Sequence, residues 1–246
     1  MKTLNIKIVL IAVLFLSTGQ LWSQNRVKSR IPLLGEKAPA FTAQTTKGTI
    51  NFPGDFGSKW KILFSHPADF TPVCTSELME LAQMQQDFKN LNVELAVIST
   101  DSLSNHLMWV KSMEEMLNQE NKPIKIDFPL IDDSKLNIGW KYGMLTRSAE
   151  SFKAVRGVFI IDPQNKIRAI TFYPTNVGRN LEEIKRTVIA LQTAVANSVM
   201  TPVNWKPGED VLLPYPHSYS YYDPAKIKET GLYDLSWYML YKKTDR

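Results

Sequence analysis

The chain holds one cysteine, Cys74, inside the segment His66-Pro67-Ala68-Asp69-Phe70-Thr71-Pro72-Val73-Cys74-Thr75-Ser76-Glu77-Leu78. A sulfur can act as a nucleophile when its surroundings hold it as the thiolate. The spacing here provides such surroundings. Thr71 reads as a helix N-cap and Pro72 suits the first helical position, which puts Cys74 in the first turn. Free backbone N–H groups and the positive end of the helix dipole then face the sulfur, and both favour the anion. Ionisation alone is a modest gain. An ordinary thiol is about 3% ionised at neutral pH, so complete ionisation raises its rate only about thirtyfold. A larger acceleration needs groups that orient the partner and stabilise developing charge. Thr71 offers a hydroxyl three residues before the sulfur, and the N–H groups of Val73 and Cys74 add donors. Arg156 interrupts the apolar run VRGVFII (155–161), where a cation needs a partner, and a thiolate is a fitting one.

Plainer readings of the same residues stay open at this level. A lone cysteine is commonly a small buried hydrophobe. Arg156 serves equally well as an ion-pair partner, and His66 as a hydrogen-bonded structural residue. The three histidines, His66, His106 and His217, lack ligand spacing, so no metal centre and no cofactor are expected. Cys74-Thr75-Ser76-Glu77 has no second cysteine, which argues against a thioredoxin-type oxidoreductase.

The elements that must position these residues read as follows. FTAQTTKGTINF (41–52) predicts a hairpin turning at Lys47-Gly48. WKILFS (60–65) and VELAVIS (93–99) are apolar throughout and suit buried strands. Between them Leu78, Leu81, Met84, Gln85 and Phe88 recur at helical spacing, predicting a helix over 73–89. A second helix is expected over 102–118, capped by Asp101 or Ser102. Residues 128–131 read as a short strand and 134–142 as a short helix. Two β-rich runs, 155–161 and 167–172, flank the turn Asp162-Pro163-Gln164-Asn165 and should pair antiparallel. The last helix spans 180–197, with Leu181, Ile184, Val188, Leu191 and Val195 on one face. This order predicts an α/β fold, a thioredoxin-like central mixed sheet flanked by helices, with the first two core strands parallel. Beyond Met200 the chain is rich in proline and aromatics, and 200–246 reads as a small, mostly irregular C-terminal domain after a main domain of 30–199.

The start of the chain is a different object. Lys2 and Lys7 precede an apolar run, Ile8 to Leu16, and then a polar stretch, the pattern of a secretory signal peptide over 1–23. The run is short for a membrane span, which takes about 20 residues; an uncleaved anchor or a buried helix is the other reading. The mature protein is therefore expected to be exported, with no stable membrane span. Cleavage behind Ser23 lowers Lys+Arg from 29 to 27 against 24 acidic residues, a net charge of +3. Without a clustered basic face this does not point to nucleic acid. In an exported chain an unpaired cysteine signals an intermolecular bridge or a free reactive thiol.

At the Cys74 segment the sequence resembles the one-cysteine peroxiredoxins. Pro67, Thr71 and Cys74 meet that family's pattern of proline, threonine and cysteine. The likeness continues through FPLIDD (128–133), GML (143–145), AVRGVFIIDPQNKIRAITFYP (154–174), VGRNLEEI (177–184), LQ (191–192) and TPVNWKPGEDV (201–211). The resemblance implies a thioredoxin-like fold with a C-terminal dimerisation domain and a homodimer or higher homo-oligomer. It implies a thiol-dependent peroxidase that reduces hydrogen peroxide and organic hydroperoxides through a sulfenic acid on Cys74. Thr71 and Arg156 would then bind the peroxide and activate the sulfur. Pro67 would shield the sulfur from water, His66 would sit beside the pocket, and Arg179 would be a supporting cation. With no resolving cysteine in the chain, an external thiol or other reductant must close the cycle. Two further readings differ in class. The same fold could work as a redox-sensing chaperone or interaction protein. Some relatives are also lipid hydrolases through a serine before the strand's tryptophan, but here Lys59 precedes Trp60.

Overall fold

The computed structural model describes residues 31–119, 123–147, 152–214, 223, 227 and 230–244, so the expected signal segment lies outside the described residues. The chain runs β1 (Phe41–Thr45), β2 (Gly48–Phe52), β3 (Trp60–Ser65), α1 (Pro72–Asn90), β4 (Val93–Ser99), α2 (Leu103–Gln119), β5 (Leu130–Asp132), α3 (Asn137–Tyr142), β6 (Leu145–Arg147), β7 (Phe152–Ala154), β8 (Arg156–Ile161), β9 (Ile167–Tyr173) and α4 (Leu181–Asn197), then β10 (Val211–Leu212), β11 (Leu232–Ser236) and β12 (Met239–Lys242). Seven strands form one mixed sheet in the order β2-β1-β5-β4-β3-β8-β9. β3 pairs parallel with β4, and β4 with β5, whereas β8 joins β3 and β9 antiparallel.

Strand alternation explains why the central runs are apolar throughout. Ile62 and Phe64, Leu95 and Val97, and Val158 and Ile160 share one core with Leu78 and Phe88 of α1, Trp109 and Met113 of α2, and Val188 of α4. The intervening Leu63, Ala96, Ile98, Phe159 and Ile161 form a second core with Phe41, Phe52, Ile138 and Tyr142. Both faces are covered, so neither needs polar positions. Lys61 is one exception, fully buried on β3. Its stem lies in the sheet while Nζ donates to Gly57 O at 2.8 Å and Asn165 Oδ1 at 2.6 Å.

Several local expectations are met in detail. Asn165 N donates to Asp162 O at 2.9 Å, closing the β8–β9 turn behind Pro163. Ser102 rather than Asp101 caps α2, its Oγ accepting from Asn105 N at 3.4 Å. Gln85, read as part of the apolar stripe, is half-buried because it staples the 125–127 loop: Nε2 donates to Lys125 O at 2.7 Å and Oε1 accepts from Asp127 N at 2.9 Å.

Other expectations need correction. α3 starts at Asn137 rather than 134, because Leu136 takes a left-handed conformation (φ 61°) and Asp133 accepts from Ile138 N and Gly139 N instead. A short hairpin, β6–β7, precedes β8 and is absent from the sequence reading. Val195 is 47% exposed and not on a covered face. The segment after Met200 is more ordered than its composition implies. β10, β12 and β11 form a three-stranded antiparallel sheet, and Tyr233 stacks on Tyr241 across it with centroids 5.0 Å apart. Trp205, 2% exposed, packs with Val199, Val211 and Ala190 and joins this region to α4.

Candidate active site

Cys74 sits on the third residue of α1 and is fully buried. Pro72 occupies the first helical position as expected. The first helical bond runs from Thr75 N to Thr71 O, 2.9 Å, so the N–H groups of Val73 and Cys74 have no helical acceptor. Thr71 is the N-cap by position but does not cap with its side chain. Its hydroxyl instead donates to Ala68 O at 2.9 Å, which closes the loop before the helix. The proton is thereby committed, and Thr71 Oγ1 faces other groups as an acceptor. Pro67 is buried in the same loop.

Arg156 opens β8 and comes from a strand 82 residues away in sequence; its Nη1 donates to Cys74 Sγ at 3.4 Å. The same Nη1 donates to Glu77 Oε2 at 2.6 Å, so Arg156 makes the ion pair and also faces the Cys74 sulfur. Nε and Nη2 donate to Thr175 O at 3.0 and 2.7 Å. The guanidinium is thus held by two partners, Thr175 O and Glu77, and its Nη1 is shared between Glu77 and the sulfur. This suits the planar fork of arginine and not a lysine.

Glu77 is the residue that the sequence reading missed. It is 4% exposed and accepts four hydrogen bonds: from Arg156 Nη1, and from Arg179 N, Nε and Nη2 at 2.8, 2.9 and 2.7 Å. Burial pushes its carboxyl up, but the Arg179 hydrogen bonds and the charges of both arginines outweigh this and hold it below the usual carboxylate range. Its position was a signal, since it lies three residues after Cys74 beside Leu78 and Leu81 on the apolar stripe.

Arg179 is brought in as expected, but it supports the site through Glu77 and not by touching the sulfur. Its Nη1 donates to Ser65 O at 2.8 Å and Gly157 O at 3.0 Å, and its guanidinium lies 3.3 Å over the Phe64 ring. Burial lowers its pKa from the ordinary value, and Glu77 opposes that shift. Gly157 leaves room for this crossing of chains: a Cβ there would meet Ser65 Oγ at 3.0 Å and Phe172 Cε1 at 3.1 Å.

His66 follows β3 and is fully buried; its Nε2 lies 2.8 Å from Asp69 Oδ1. His106, far away in sequence, lies on the other side of the same carboxylate, Nδ1 to Oδ2 at 2.7 Å. The fold therefore gathers residues that showed no spacing pattern. Ligand atoms of His66, Asp69 and Asp101 lie within 4.8 Å of one another. Their oxygens are already engaged: Asp69 by the two imidazoles, and Asp101 Oδ2 by Asp69 N at 2.9 Å and Ser99 Oγ at 2.8 Å. Lys59, in the place of a lipase serine, pairs at the surface with Glu94. Among the described residues no helix is long and apolar enough to cross a membrane.

Chemically, the arrangement presents a buried sulfur to a guanidinium and two free amides. That is a set of donors for an anion and for charge developing on a bound oxygen. Comparison with known proteins agrees with this chemistry. Residues 34–170 match the AhpC/TSA family, and residues 190–220 match the C-terminal domain of 1-Cys peroxiredoxin. A peroxiredoxin of Methanosarcina mazei is 50% identical over 215 residues, covering 87% of this chain and 98% of that protein. A solved structure of the yeast mitochondrial 1-Cys peroxiredoxin superposes with a TM-score of 0.76 at 36% identity, covering 87% of this chain and all of that one. A cysteine-to-serine mutant of peroxiredoxin 6 of Arenicola marina gives a TM-score of 0.77 at 30% identity, covering 87% and 99% of the two chains.

Proposed function

The chain belongs to the AhpC/TSA family, carries the C-terminal domain of the 1-Cys peroxiredoxins and is a thiol-dependent peroxidase, and we propose that Cys74 is its reacting sulfur, activated by Arg156. The contact of Arg156 Nη1 with Sγ at 3.4 Å carries this assignment. The thiolate attacks one oxygen of the hydroperoxide, a sulfur–oxygen bond forms, and the O–O bond breaks. The departing hydroxide or alkoxide takes up a proton and leaves as water or alcohol, and Cys74 remains as the sulfenic acid. Arg156 and the amides of Val73 and Cys74 stabilise the charge that develops on oxygen. Thr71 Oγ1, its own proton committed to Ala68, receives the O–H of the hydroperoxide. Pro67 keeps water from the sulfur, and Arg179 acts through Glu77 to hold Arg156 in place.

Steady-state consumption of hydrogen peroxide with dithiothreitol as reductant tests the assignment. It should vanish in Cys74→Ser and fall sharply in Arg156→Ala; unchanged turnover in Cys74→Ser would end it.

The sulfenic acid must be reduced from outside, because the chain holds no second cysteine. The yeast relative is described as resolved through the glutathione and thioredoxin systems. An external thiol is accordingly the reductant class for this chain. The basic start and apolar run support export, and sequencing the secreted protein should find Gln24 first. A homodimer is the fitting assembly. β9 is an outer strand of the sheet, and beyond Ile167, where Gly35 and Glu36 pair, its outer edge carries no strand among the described residues. Such an edge invites a second copy, and the segment after Met200 would contribute to the contact. Sedimentation of the mature protein should give a dimer; a monomer at all concentrations contradicts this.

A further inference from the structure

The peroxidase chemistry leaves a second buried polar group without a task. Asp69 takes His66 Nε2 on one oxygen at 2.8 Å and His106 Nδ1 on the other at 2.7 Å, and both imidazoles are fully buried. His106 Nε2 lies 3.0 Å from Ile131 O, a carbonyl that can only accept, so Nε2 carries a proton. If Nδ1 were bare, its lone pair would face a carboxylate. The consistent state is a His106 imidazolium beside an Asp69 carboxylate. His66 Nε2 must then donate to the remaining oxygen. His66 Nδ1 has no hydrogen-bond partner among the described residues, although it is buried.

We propose that Asp69 and His106 are positioning residues for the Cys74 site: as a charge pair they hold His66 neutral, protonated at Nε2, so that Nδ1 stays an unprotonated acceptor at the base of the loop that leads into the helix bearing Cys74.

The logic is one of charge. A carboxylate facing His66 alone would draw a second proton onto that ring. His106 supplies the positive charge first, and a second imidazolium beside it is disfavoured. Burial pushes His66 down from its ordinary value. For His106 burial also pushes down, but the Asp69 hydrogen bond and charge outweigh it and raise it. The charged and titratable groups around His106 are Asp69 in the loop before α1, Asp101 before α2, Asp132 on β5 and His66. The carboxylates among them favour its charge. His66 adjoins the reacting turn. The Trp109 ring lies 5.0 Å from the His66 ring while Trp109 Nε1 donates at 3.3 Å to Thr75 Oγ1, one residue beyond Cys74. Ser65, immediately before His66, receives Arg179 on its carbonyl. A bare Nδ1 leaves a neutral acceptor beside the reacting turn, whereas a protonated Nδ1 places a donor and a cation there.

This inference rests on Cys74 as the reacting sulfur, and its test is separate from the Cys74→Ser assay. Long-range proton–nitrogen NMR on the nitrogen-15-labelled mature protein reads the protonation of each imidazole nitrogen, with His217→Gln used for assignment. At neutral pH the expected result is His106 protonated on both nitrogens and His66 on Nε2 alone. In His106→Asn the His66 titration should rise by roughly one pH unit or more. The rate of oxidation by hydrogen peroxide should then acquire a pH-dependent step that the wild type lacks, centred on the His66 titration. A wild-type His66 that carries its proton on Nδ1, or a neutral His106, overturns the proposal without any variant. So does a folded His106→Asn with an unchanged pH profile.

Discussion

Replacing Glu77 by Gln keeps the shape of the side chain and removes one negative charge from between two arginines. The carboxylate accepts four hydrogen bonds from Arg156 and Arg179 and is almost fully buried. In the variant an amide NH₂ must face guanidinium N–H groups, donor against donor. Breaking a buried ion pair by neutralising one partner costs about 3–5 kcal/mol. That is a large part of the 5–15 kcal/mol typical of a whole domain. For a chain of this size it corresponds to a fall in Tm of roughly 6–20 °C. Arg156 keeps its two bonds to Thr175 O, so the fold around it survives while its aim at Sγ loosens. A misplacement of about 1 Å can cost about a hundredfold, so oxidation of Cys74 should slow by about 10–100-fold. The pH dependence gives a signature of its own. Glu77 is held below the ordinary carboxylate range, so its contribution to stability is complete above that range and is lost as pH falls through its depressed value. The gap in stability between wild type and Glu77→Gln should therefore be full at neutral pH and close in acid. Thermal melts across pH, with stopped-flow oxidation by hydrogen peroxide, measure both effects. A variant equal to wild type in Tm and in rate would refute the idea that this carboxylate organises the two guanidiniums.

Arg156→Lys retains the charge but not the fork that reaches the sulfur, Glu77 and Thr175 together; stopped-flow oxidation should slow about 10²–10³-fold. Gly157→Ala drives a methyl group against Ser65 Oγ and the Phe172 ring, and denaturant unfolding should show a loss of about 1–3 kcal/mol. Thr71→Val removes the hydroxyl that donates to Ala68 O and would receive the peroxide O–H. Turnover should fall at all peroxide concentrations, whereas Thr71→Ser should restore most of it.

The residues proposed to react were legible where local grammar sufficed. Pro72 and Thr71 announce a helix start, and a helix start faces its third residue with free amides; Cys74 followed from that. Arg156 was visible because a cation in an apolar strand must be accounted for. What local grammar could not supply was the partner. Glu77 meets Arg179 across 102 residues and Arg156 across 79, and His106 meets Asp69 across 37. Such pairings exist only once β3, β8 and the helices are assembled. The Thr71 hydroxyl was read as a cap because its position is that of a cap, but the side chain turns to donate to the loop carbonyl of Ala68 and accepts from no helical N–H. The core strands were easy to recognise because a sheet covered on both faces tolerates few polar positions. The C-terminal strands were hidden because β10 has two residues and β11 and β12 carry tyrosines and charges without clean alternation.

The most direct measurement is the reaction of the fully reduced protein with one equivalent of hydrogen peroxide, without reductant, followed by stopped flow and by mass spectrometry of the product. The account predicts rapid single-turnover loss of peroxide, one oxygen atom gained on Cys74, and a much slower reaction in Arg156→Ala. Oxidation no faster than that of a free thiol in an unstructured peptide, or equal rates with and without the Arg156 guanidinium, would contradict it.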